Sequence, residues 1–284
     1  YYVCELNEDM ISVTDKNADG TIDMNDIKQQ KIKNLNGTVY TEAPWLYKRG
    51  DKYYTFFAAN WREEMAYATA STPYGPWEYC GQLMPPTATS NTNHPAVIDF
   101  NGKTYFIYHN GALPNGSGYR RSVCVEELLF DENGNVLPLT ETSTGIRGTS
   151  NVILANDGKY VAHNEFTNPS DDASYPISKP VVTLDKEDGY NSAWEIVKGK
   201  YSPETAEYVS IQSVNKPGLY IANVDGNVAL TADDGTMAKN MTFKTVVGLN
   251  GSGISFESVS EPGKYLTKLG NSIILSYGRN ANAC

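Results

Sequence analysis

The segment DKNADGTIDMND, residues 15–26, spaces oxygen-bearing residues as a calcium-binding loop does. In that pattern, oxygen ligands stand at loop positions 1, 3, 5, 9 and 12, and a glycine at position 6 makes the sharp turn. A hard cation such as Ca²⁺ takes several oxygen ligands at once. The spacing therefore predicts a structural Ca²⁺ site, and the alternative is a polar turn. The expected ligands are the side chains of Asp15, Asn17, Asp19, Asp23 and Asp26 and the carbonyl of Thr21.

The chain around this loop contains a repeat of about 50 residues. Glu42–Phe57 matches Asn93–Tyr108 at a constant offset of 51 residues, and both segments read as hairpins with tight turns. Two further strand candidates follow each hairpin, the last of them at residues 135–140. Four strands per unit of this length is the period of a β-propeller blade. Thr38–Leu83 and Asn93–Leu139 are therefore predicted to be consecutive blades, after the end of an earlier blade at Tyr1–Val13.

A second repeat occupies the rest of the chain. Ser210–Leu230 matches Ser255–Leu275 at an offset of 45 residues, and Ser150–His163 is a third, more distant copy. In chain order, the copies that begin at Ser150 and Ser210 each end in a matching strand, which begins at Ala193 in the first and at Thr242 in the second. Three copies of a four-strand unit predict a β-trefoil. Helical periodicity is confined to residues 24–33, so the fold class is all-β.

Charge and composition limit the partners. A net charge of −10 and a pI near 4.8 argue against nucleic acid and anionic membranes, which both favour Lys and Arg. No apolar run reaches the length of about 18 residues that a membrane span needs. The 20 Tyr and 4 Trp suit either sugar stacking or the packing of β-strands. The four scattered cysteines are expected to be buried free thiols, with a disulfide left open.

Residues 1–145 resemble glycoside hydrolase family 43. The motifs that carry the resemblance are Glu42–Phe57 with its following Ala-Ala-Asn, ATASTPYGPWEY, NHPAVIDFNGKTYFIYHNG and YRRSVCVEELLFDENG. The resemblance implies part of a five-bladed β-propeller, with Glu42 in the position of the general acid. Inversion at a glycosidic bond needs such an acid and a carboxylate base on opposite faces of the sugar. Because Ala-Pro-Trp follows Glu42, an apolar setting that raises a carboxyl pKa is expected there.

The resemblance also implies the residues around the general acid. His94 shares its repeat position with Ala43 and is expected to line the axial pocket, unless it is a structural histidine. One of Arg120 and Arg121 is expected to reach the substrate, since alternation places them on opposite faces. Trp61 is a further candidate for substrate binding. The family's catalytic base and its pKa-modulating aspartate belong to the first two blades, which this sequence does not contain.

Residues 150–284 resemble the arabinofuranosidase-B-type β-trefoil, carbohydrate-binding module family 42, through S-V-x-x-P-G-x-Y repeats. The resemblance implies one shallow arabinose pocket per leaf, formed by a histidine and an acidic residue. His163 fits this pattern in the first leaf, and Asn223 with Asp233 or Asp234 partly fits it in the second. Lys268 replaces the histidine in the third leaf, where no sugar pocket is expected.

Together the resemblances imply an inverting, exo-acting hydrolase of arabinose- or xylose-containing plant polysaccharide, arabinoxylan or arabinan. α-L-Arabinofuranosidase is the first choice and β-xylosidase the second. A secreted or cell-surface location in a bacterium is expected, with the N-terminal blades supplied by the rest of the parent chain. Because the base is missing here, the alternative is a non-catalytic carbohydrate-binding protein built on a propeller scaffold.

Overall fold

The computed structural model describes residues 1–164 and 178–278, and it is almost entirely β-sheet. Residue contacts divide the chain into two compact units. Unit 1 contains Tyr1–Pro86, Thr92–Tyr108 and Glu127–Leu139. Unit 2 contains Thr87–Asn91, His109–Glu126 and Thr140–Cys284. Because these units interleave along the chain, they differ from the sequential domains 1–145 and 150–284, which stay a prediction.

The first predicted blade is confirmed as an antiparallel sheet with one added edge strand. Its strands lie in the order β3-β7-β6-β5-β4, and β3 pairs with β7 in parallel. A separate two-stranded ladder joins β1 to β2. The strands of this region are β1 Tyr2–Val3, β2 Lys28–Gln29, β3 Ile32–Lys33, β4 Tyr40–Arg49, β5 Lys52–Ala59, β6 Glu64–Ala70 and β7 Trp77–Met84.

Residues 24–33 do not form a helix, although their apolar residues have helical periodicity. Residues 28–29 and 32–33 form strands β2 and β3 instead, which pair with β1 and β7. Sheet partners are available on both sides of this segment, and such tertiary pairing outweighs a weak local helical preference.

The core of the first blade is built around one buried indole. Trp77 is fully buried with Phe57 and the small side chains of Ala66 and Ala68. Its ring N–H donates to Oε1 of Gln30 over 3.1 Å, so the buried polar atom of the indole is satisfied. The alternation of small and large side chains gives the sheet room for the ring.

The second predicted blade has three strands where four were expected. These strands lie in the order β10-β9-β8, and they are β8 Ala96–Phe100, β9 Lys103–Asn110 and β10 Ser122–Glu127. The predicted strand at residues 135–140 is replaced by a single bridge at Phe130. Asp131 accepts backbone N–H bonds that close a tight turn there. The turn is held by Tyr54, which packs on Phe130 and donates to the carbonyl of Gly134 over 2.7 Å.

Unit 2 contains one large sheet that closes on itself. Its main path runs β11-β14-β15-β16-β17-β13-β21-β20-β19-β18, and β15 also pairs with β18. The strands are β11 Asn151–Val152, β12 Tyr160–His163, β13 Ser178–Leu184, β14 Ala193–Lys198, β15 Tyr208–Ser213, β16 Leu219–Val224, β17 Asn227–Ala232, β18 Phe243–Val247, β19 Ile254–Ser258, β20 Lys264–Leu269 and β21 Ser272–Tyr277.

The structure repeats in the same register as the sequence in this sheet. Gln212 pairs with Tyr220 in one copy, and Glu257 pairs with Tyr265 at the equivalent positions of the next. The linking strands β14 and β18 lie where the matching segments predicted them, each pairing with the first strand of the following copy. The strand repeats are therefore confirmed, while the β-trefoil itself stays a prediction.

Two smaller expectations concern cysteines and membranes. None of Cys4, Cys80 and Cys124 is buried, so the expectation of buried thiols is wrong for these three. The fourth, Cys284, lies outside the described residues. Within residues 1–164 and 178–278, no helix is long and apolar enough to cross a membrane.

A buried carboxyl group lies in unit 2 at Glu141. It accepts the backbone N–H of Ala88 over 2.5 Å and lies 3.4 Å from the amide nitrogen of Asn110. Burial raises the pKa of Glu141 from 4.5 to about 7, although these hydrogen bonds oppose the shift. The native state therefore retains a proton that the unfolded chain loses at lower pH.

We expect Glu141→Gln to flatten the pH dependence of stability. In the wild type, the protonated carboxyl stabilises the fold fully below pH 4.5, and this contribution is lost as the pH rises to about 7. The loss is on the order of 3 kcal/mol, and glutamine, which does not titrate, removes it. Denaturant unfolding between pH 4.5 and 7.5 measures the difference. The exposed Glu132→Gln is the control, and an unchanged slope in Glu141→Gln contradicts the assignment.

Candidate active site

Glu42 lies at an irregularity of strand β4. The register with β5 shifts both between Tyr40 and Glu42 and between Glu42 and Trp45. Ala43 has a φ of 57°, an uncommon left-handed conformation for a residue with a Cβ. Bulges of this kind change the direction of a side chain at the end of a strand. The Glu42 side chain is 51% exposed, so its carboxyl group is open to a ligand.

His94 contacts this carboxyl group directly. Its Nε2 lies 2.8 Å from Oε1 of Glu42, and its side chain is 43% exposed. The repeat alignment placed His94 beside the equivalent of Glu42 on the neighbouring blade, and the structure brings the two side chains together. The contact fixes the Oε1 atom of Glu42.

Glu63 completes the cluster, and the sequence analysis missed it. It is only 2% exposed, and its Oε2 accepts the backbone N–H of Asn93 over 2.6 Å. Oxygens of Glu42 and Glu63 and a ring nitrogen of His94 all lie within 4.8 Å of one another. In the sequence, Arg62-Glu63-Glu64 reads as an ordinary charged turn, so nothing in the local pattern distinguishes Glu63.

The neighbouring carboxyl groups of Glu42 and Glu63 affect each other electrostatically. Burial raises the pKa of Glu63, and the charge of Glu42 and a side-chain hydrogen bond with Glu42 raise it further. The N–H of Asn93 and the nearby His94 act in the opposite direction. The expectation of an apolar setting for Glu42 is therefore wrong. Trp45 points its ring N–H at the carbonyl of Val97 instead, and polar groups surround the carboxyl.

The other predicted substrate contacts are distributed between the two units. Trp61 is exposed in the connection between β5 and β6, two residues before Glu63. Arg120 and Arg121 belong to unit 2. The Nε of Arg121 donates to the carbonyl of Gly118 over 2.7 Å, within its own loop.

Unit 2 contains a cavity of about 440 Å³ that brings together residues predicted for different sites. Arg120 lines it together with Asp233 and Asp234, and the exposed ring of Tyr119 lies at its wall. Asp233 forms an ion pair with Lys200 at 3.1 Å, which offsets its charge. The Thr236 hydroxyl and N–H bonds lower the pKa of Asp234. The cavity thus offers a planar cation, ionised acceptors and an aromatic ring.

His163, predicted as a sugar contact, lies in a buried hydrogen-bond network. It is fully buried, and its Nε2 lies 3.1 Å from the Ser213 hydroxyl and 3.0 Å from Oδ1 of Asn215. Its Nδ1 lies 2.9 Å from the carbonyl of Asn164. Both ring nitrogens therefore have protein partners, and the structure does not support a direct sugar contact.

The second and third leaves differ from their predictions in a similar way. Asn223 is buried, and its amide nitrogen contacts the Ser260 hydroxyl and Oε1 of Glu261. Lys268 forms an ion pair with Asp157 at 3.0 Å. Of the four residues predicted to bind sugar in this half, only Asp233 and Asp234 line the cavity. The remaining positions hold neighbouring repeats together.

The loop of residues 15–26 is folded as a compact set of side-chain-to-backbone hydrogen bonds. Asp15 Oδ2 accepts the N–H of Gly20 over 2.8 Å, and its buried Oδ1 has no hydrogen-bond partner. The fully buried Asp26 accepts the N–H groups of Lys16 and Asp23. An unsatisfied buried oxygen at loop position 1 fits a cation, since burying such an atom alone is costly.

Two family models match the chain. Residues 1–136 match "Glycosyl hydrolases family 43", and residues 154–283 match "Alpha-L-arabinofuranosidase B (ABFB) domain". These matches confirm both resemblances. Residues 1–136 are thus similar to family 43, and residues 154–283 are similar to the arabinofuranosidase-B-type domain.

Several curated proteins are similar to parts of the chain. A xylosidase/arabinosidase of Bacteroides ovatus is 33% identical over 35% of this chain and 30% of its own length. An arabinoxylan arabinofuranohydrolase of Paenibacillus polymyxa is 26% identical over 69% of this chain and 33% of its own length. The chain thus spans about a third of the length of such relatives. The solved structure of CoXyl43, a β-xylosidase/α-arabinofuranosidase from a compost metagenome, is 26% identical over 49% of this chain and 41% of that chain, with a TM-score of 0.42.

The network around His163 predicts a loss of stability on its removal. In His163→Ala, the Ser213 hydroxyl and the Asn215 amide lose a buried partner, and a cavity is left beside the Trp194 ring. We expect a cost of about 2–4 kcal/mol in urea unfolding. Lys268→Ala, which removes an ion pair with a half-exposed partner, is the control and is expected to cost about 1 kcal/mol or less. Equal losses in the two variants contradict the network.

Proposed function

We propose that this chain is part of an inverting, exo-acting glycoside hydrolase that removes arabinose or xylose units from plant polysaccharide. The observation that carries the proposal is the half-exposed Glu42 at a strand bulge, held by His94 and adjacent to the buried Glu63. The family 43 match and the names of the relatives support the same reaction class. The preferred activity is α-L-arabinofuranosidase, because an arabinofuranosidase-B-type domain follows, with β-xylosidase as the second choice.

Glu42 acts as the general acid in this mechanism. Its carboxyl proton passes to the glycosidic oxygen as the bond to the sugar breaks, so the leaving group departs as an alcohol. His94 orients the carboxyl by holding Oε1. The indole of Trp61 offers an exposed apolar face near the same cluster, suited to packing on a sugar ring.

The base that activates water comes from outside these residues. We place it, with the pKa-modulating aspartate, on N-terminal propeller blades supplied by the rest of the parent chain. Ile98 and Phe100, two residues apart on β8, are both exposed and support such a neighbour. Exposed apolar side chains on one face of a strand can mark a surface that another part of a protein covers.

The arabinofuranosidase-B-type half is proposed to be a β-trefoil that holds the enzyme on arabinoxylan or arabinan. The cavity of unit 2 that is lined by Arg120, Asp233 and Asp234 suits a neutral sugar. Polar groups there can form directional hydrogen bonds to hydroxyls, and Tyr119 offers a stacking face. Tethering raises the effective concentration of polymer at the catalytic residues.

The polymer substrate implies a secreted or cell-surface protein, and a bacterial source is proposed with it. The acidic chain is not expected to bind nucleic acid or a membrane.

One Ca²⁺ is proposed in the loop of residues 15–26, with a structural role. Its ligands are the six residues that the loop pattern gives, from Asp15 to Asp26, and the unsatisfied Oδ1 of Asp15 supports the site.

Glu42→Gln tests the proposed acid in the full-length protein. Release of sugar from arabinoxylan is expected to fall about 10²–10⁴-fold, because glutamine cannot protonate the leaving oxygen. Aryl glycosides with good leaving groups need little protonation and are expected to lose much less. The exposed Glu78→Gln serves as the control. If Glu42→Gln and wild type cleave the polymer equally, Glu42 is not the acid, and binding without any cleavage indicates a carbohydrate-binding protein.

Calcium is expected to raise the melting temperature of the chain. A cation that binds only the native state stabilises it by about 2.7 kcal/mol at a hundredfold excess over its Kd. Thermal scans in chelator and in millimolar Ca²⁺ measure the shift. Asp15→Asn is expected to abolish it, whereas Asp9→Asn, outside the loop, retains it. Identical melting of the wild type under both conditions rules out the site.

A further inference from the structure

The Glu42–Glu63 contact has a chemical requirement. Their carboxylate oxygens lie within 4.8 Å of each other, and two ionised carboxylates at this distance repel each other. A single proton on the pair removes this repulsion. Glu63 is buried and anchored by the N–H of Asn93, whereas Glu42 is half exposed and open to solvent.

We propose that Glu63 is a positioning residue that shares one proton with Glu42 and keeps the general acid protonated to higher pH than a lone glutamate. This inference rests on the proposed function, in which Glu42 is the acid. In each turnover, the pair gives one proton to the leaving oxygen and regains one from solvent through the exposed Glu42. Loss of the second proton would place two negative charges within 4.8 Å, which is unfavourable.

His94 and Tyr40 are titratable groups close to the pair. His94 contacts Glu42 and, when protonated, favours a negative charge on it. The hydroxyl of Tyr40 also lies near Glu42, and burial first and then that carboxylate raise its pKa. Glu64, next in sequence to Glu63, is held instead by the side-chain amides of Asn60 and Gln82. The neighbouring Glu64 is therefore a matched control for Glu63.

The first test is spectroscopic and needs no activity. The 284-residue chain is labelled with ¹³C-glutamate, and the carboxyl resonances of Glu42 and Glu63 are assigned by their loss in the Gln variants. In the wild type, the Glu42 signal is expected to titrate in two steps, as coupled sites do. In Glu63→Gln, the Glu42 signal should titrate in one step, and its midpoint should lie about one pH unit below the upper midpoint of the wild type.

Thermodynamic reciprocity gives a second, independent measurement. Glu42→Gln must shift the titration of Glu63 by the same amount as Glu63→Gln shifts that of Glu42. Because Glu42 is half exposed, its variant is expected to fold even where Glu63→Gln does not. Coincident titrations in wild type and variant, or an equal shift in Glu64→Gln, overturn the proposal.

Kinetics separate this inference from the proposed function. In the full-length enzyme, Glu63→Gln is expected to move the alkaline limb of kcat/KM on arabinoxylan oligosaccharide to lower pH by about one unit. Glu64→Gln should leave that limb in place. If Glu42→Gln loses activity but Glu63→Gln keeps the wild-type limb, proton sharing is wrong and the acid assignment stands. If Glu42→Gln is fully active, the acid assignment itself fails, whatever the titrations show.

Discussion

The irregular register of β4 is the constraint on which the candidate site depends. A regular strand would alternate its side chains strictly, and Glu42 would lie on the same face as Tyr40. The register with β5 shifts twice around Glu42, and Ala43 has a left-handed backbone conformation. The Glu42 side chain therefore does not follow that alternation. The left-handed conformation at Ala43 costs free energy, and the pairing of the long β4–β5–β6–β7 sheet offsets that cost. The regular part of the sheet thus holds the irregular backbone at Ala43 in place.

Long-range features of the fold were predictable where the sequence repeats itself. The two hairpin units and the copies in unit 2 were found by self-similarity, and their strands lie where it placed them. The same alignment placed His94 next to the equivalent of Glu42, although it did not predict the contact between the two side chains. Single elements without a repeat were less predictable. Residues 24–33 form strands, because β1 and β7 offer pairing that a local periodicity cannot reveal.

The chemistry of individual side chains was harder to predict than their positions. Glu63 looks like a solvated acid in the sequence, and only the packing of Asn93 against it shows that it is buried. His163 and Asn223 stand at the expected repeat positions, but neighbouring copies supply Ser213, Asn215 and Glu261 as their partners. Repeats specify equivalent backbone positions, whereas burial depends on what the next copy places opposite them. Motif position alone therefore does not distinguish a binding residue from a packing residue.

The short strand β3 has a consequence for how this protein behaves at high concentration. Without β3, strand β7 would be an outer strand whose unpaired N–H and C=O groups could template pairing with another chain. Ile32 and Lys33 occupy this edge beside Trp77 and Glu78, in parallel orientation. Lys33 adds a charge there, 3.8 Å from Glu78. Farther along, Gly81 with a φ of 137° and two register shifts against β6 interrupt the flat edge. Strand addition by a second molecule is disfavoured along this side, and the sheet resists intermolecular aggregation there.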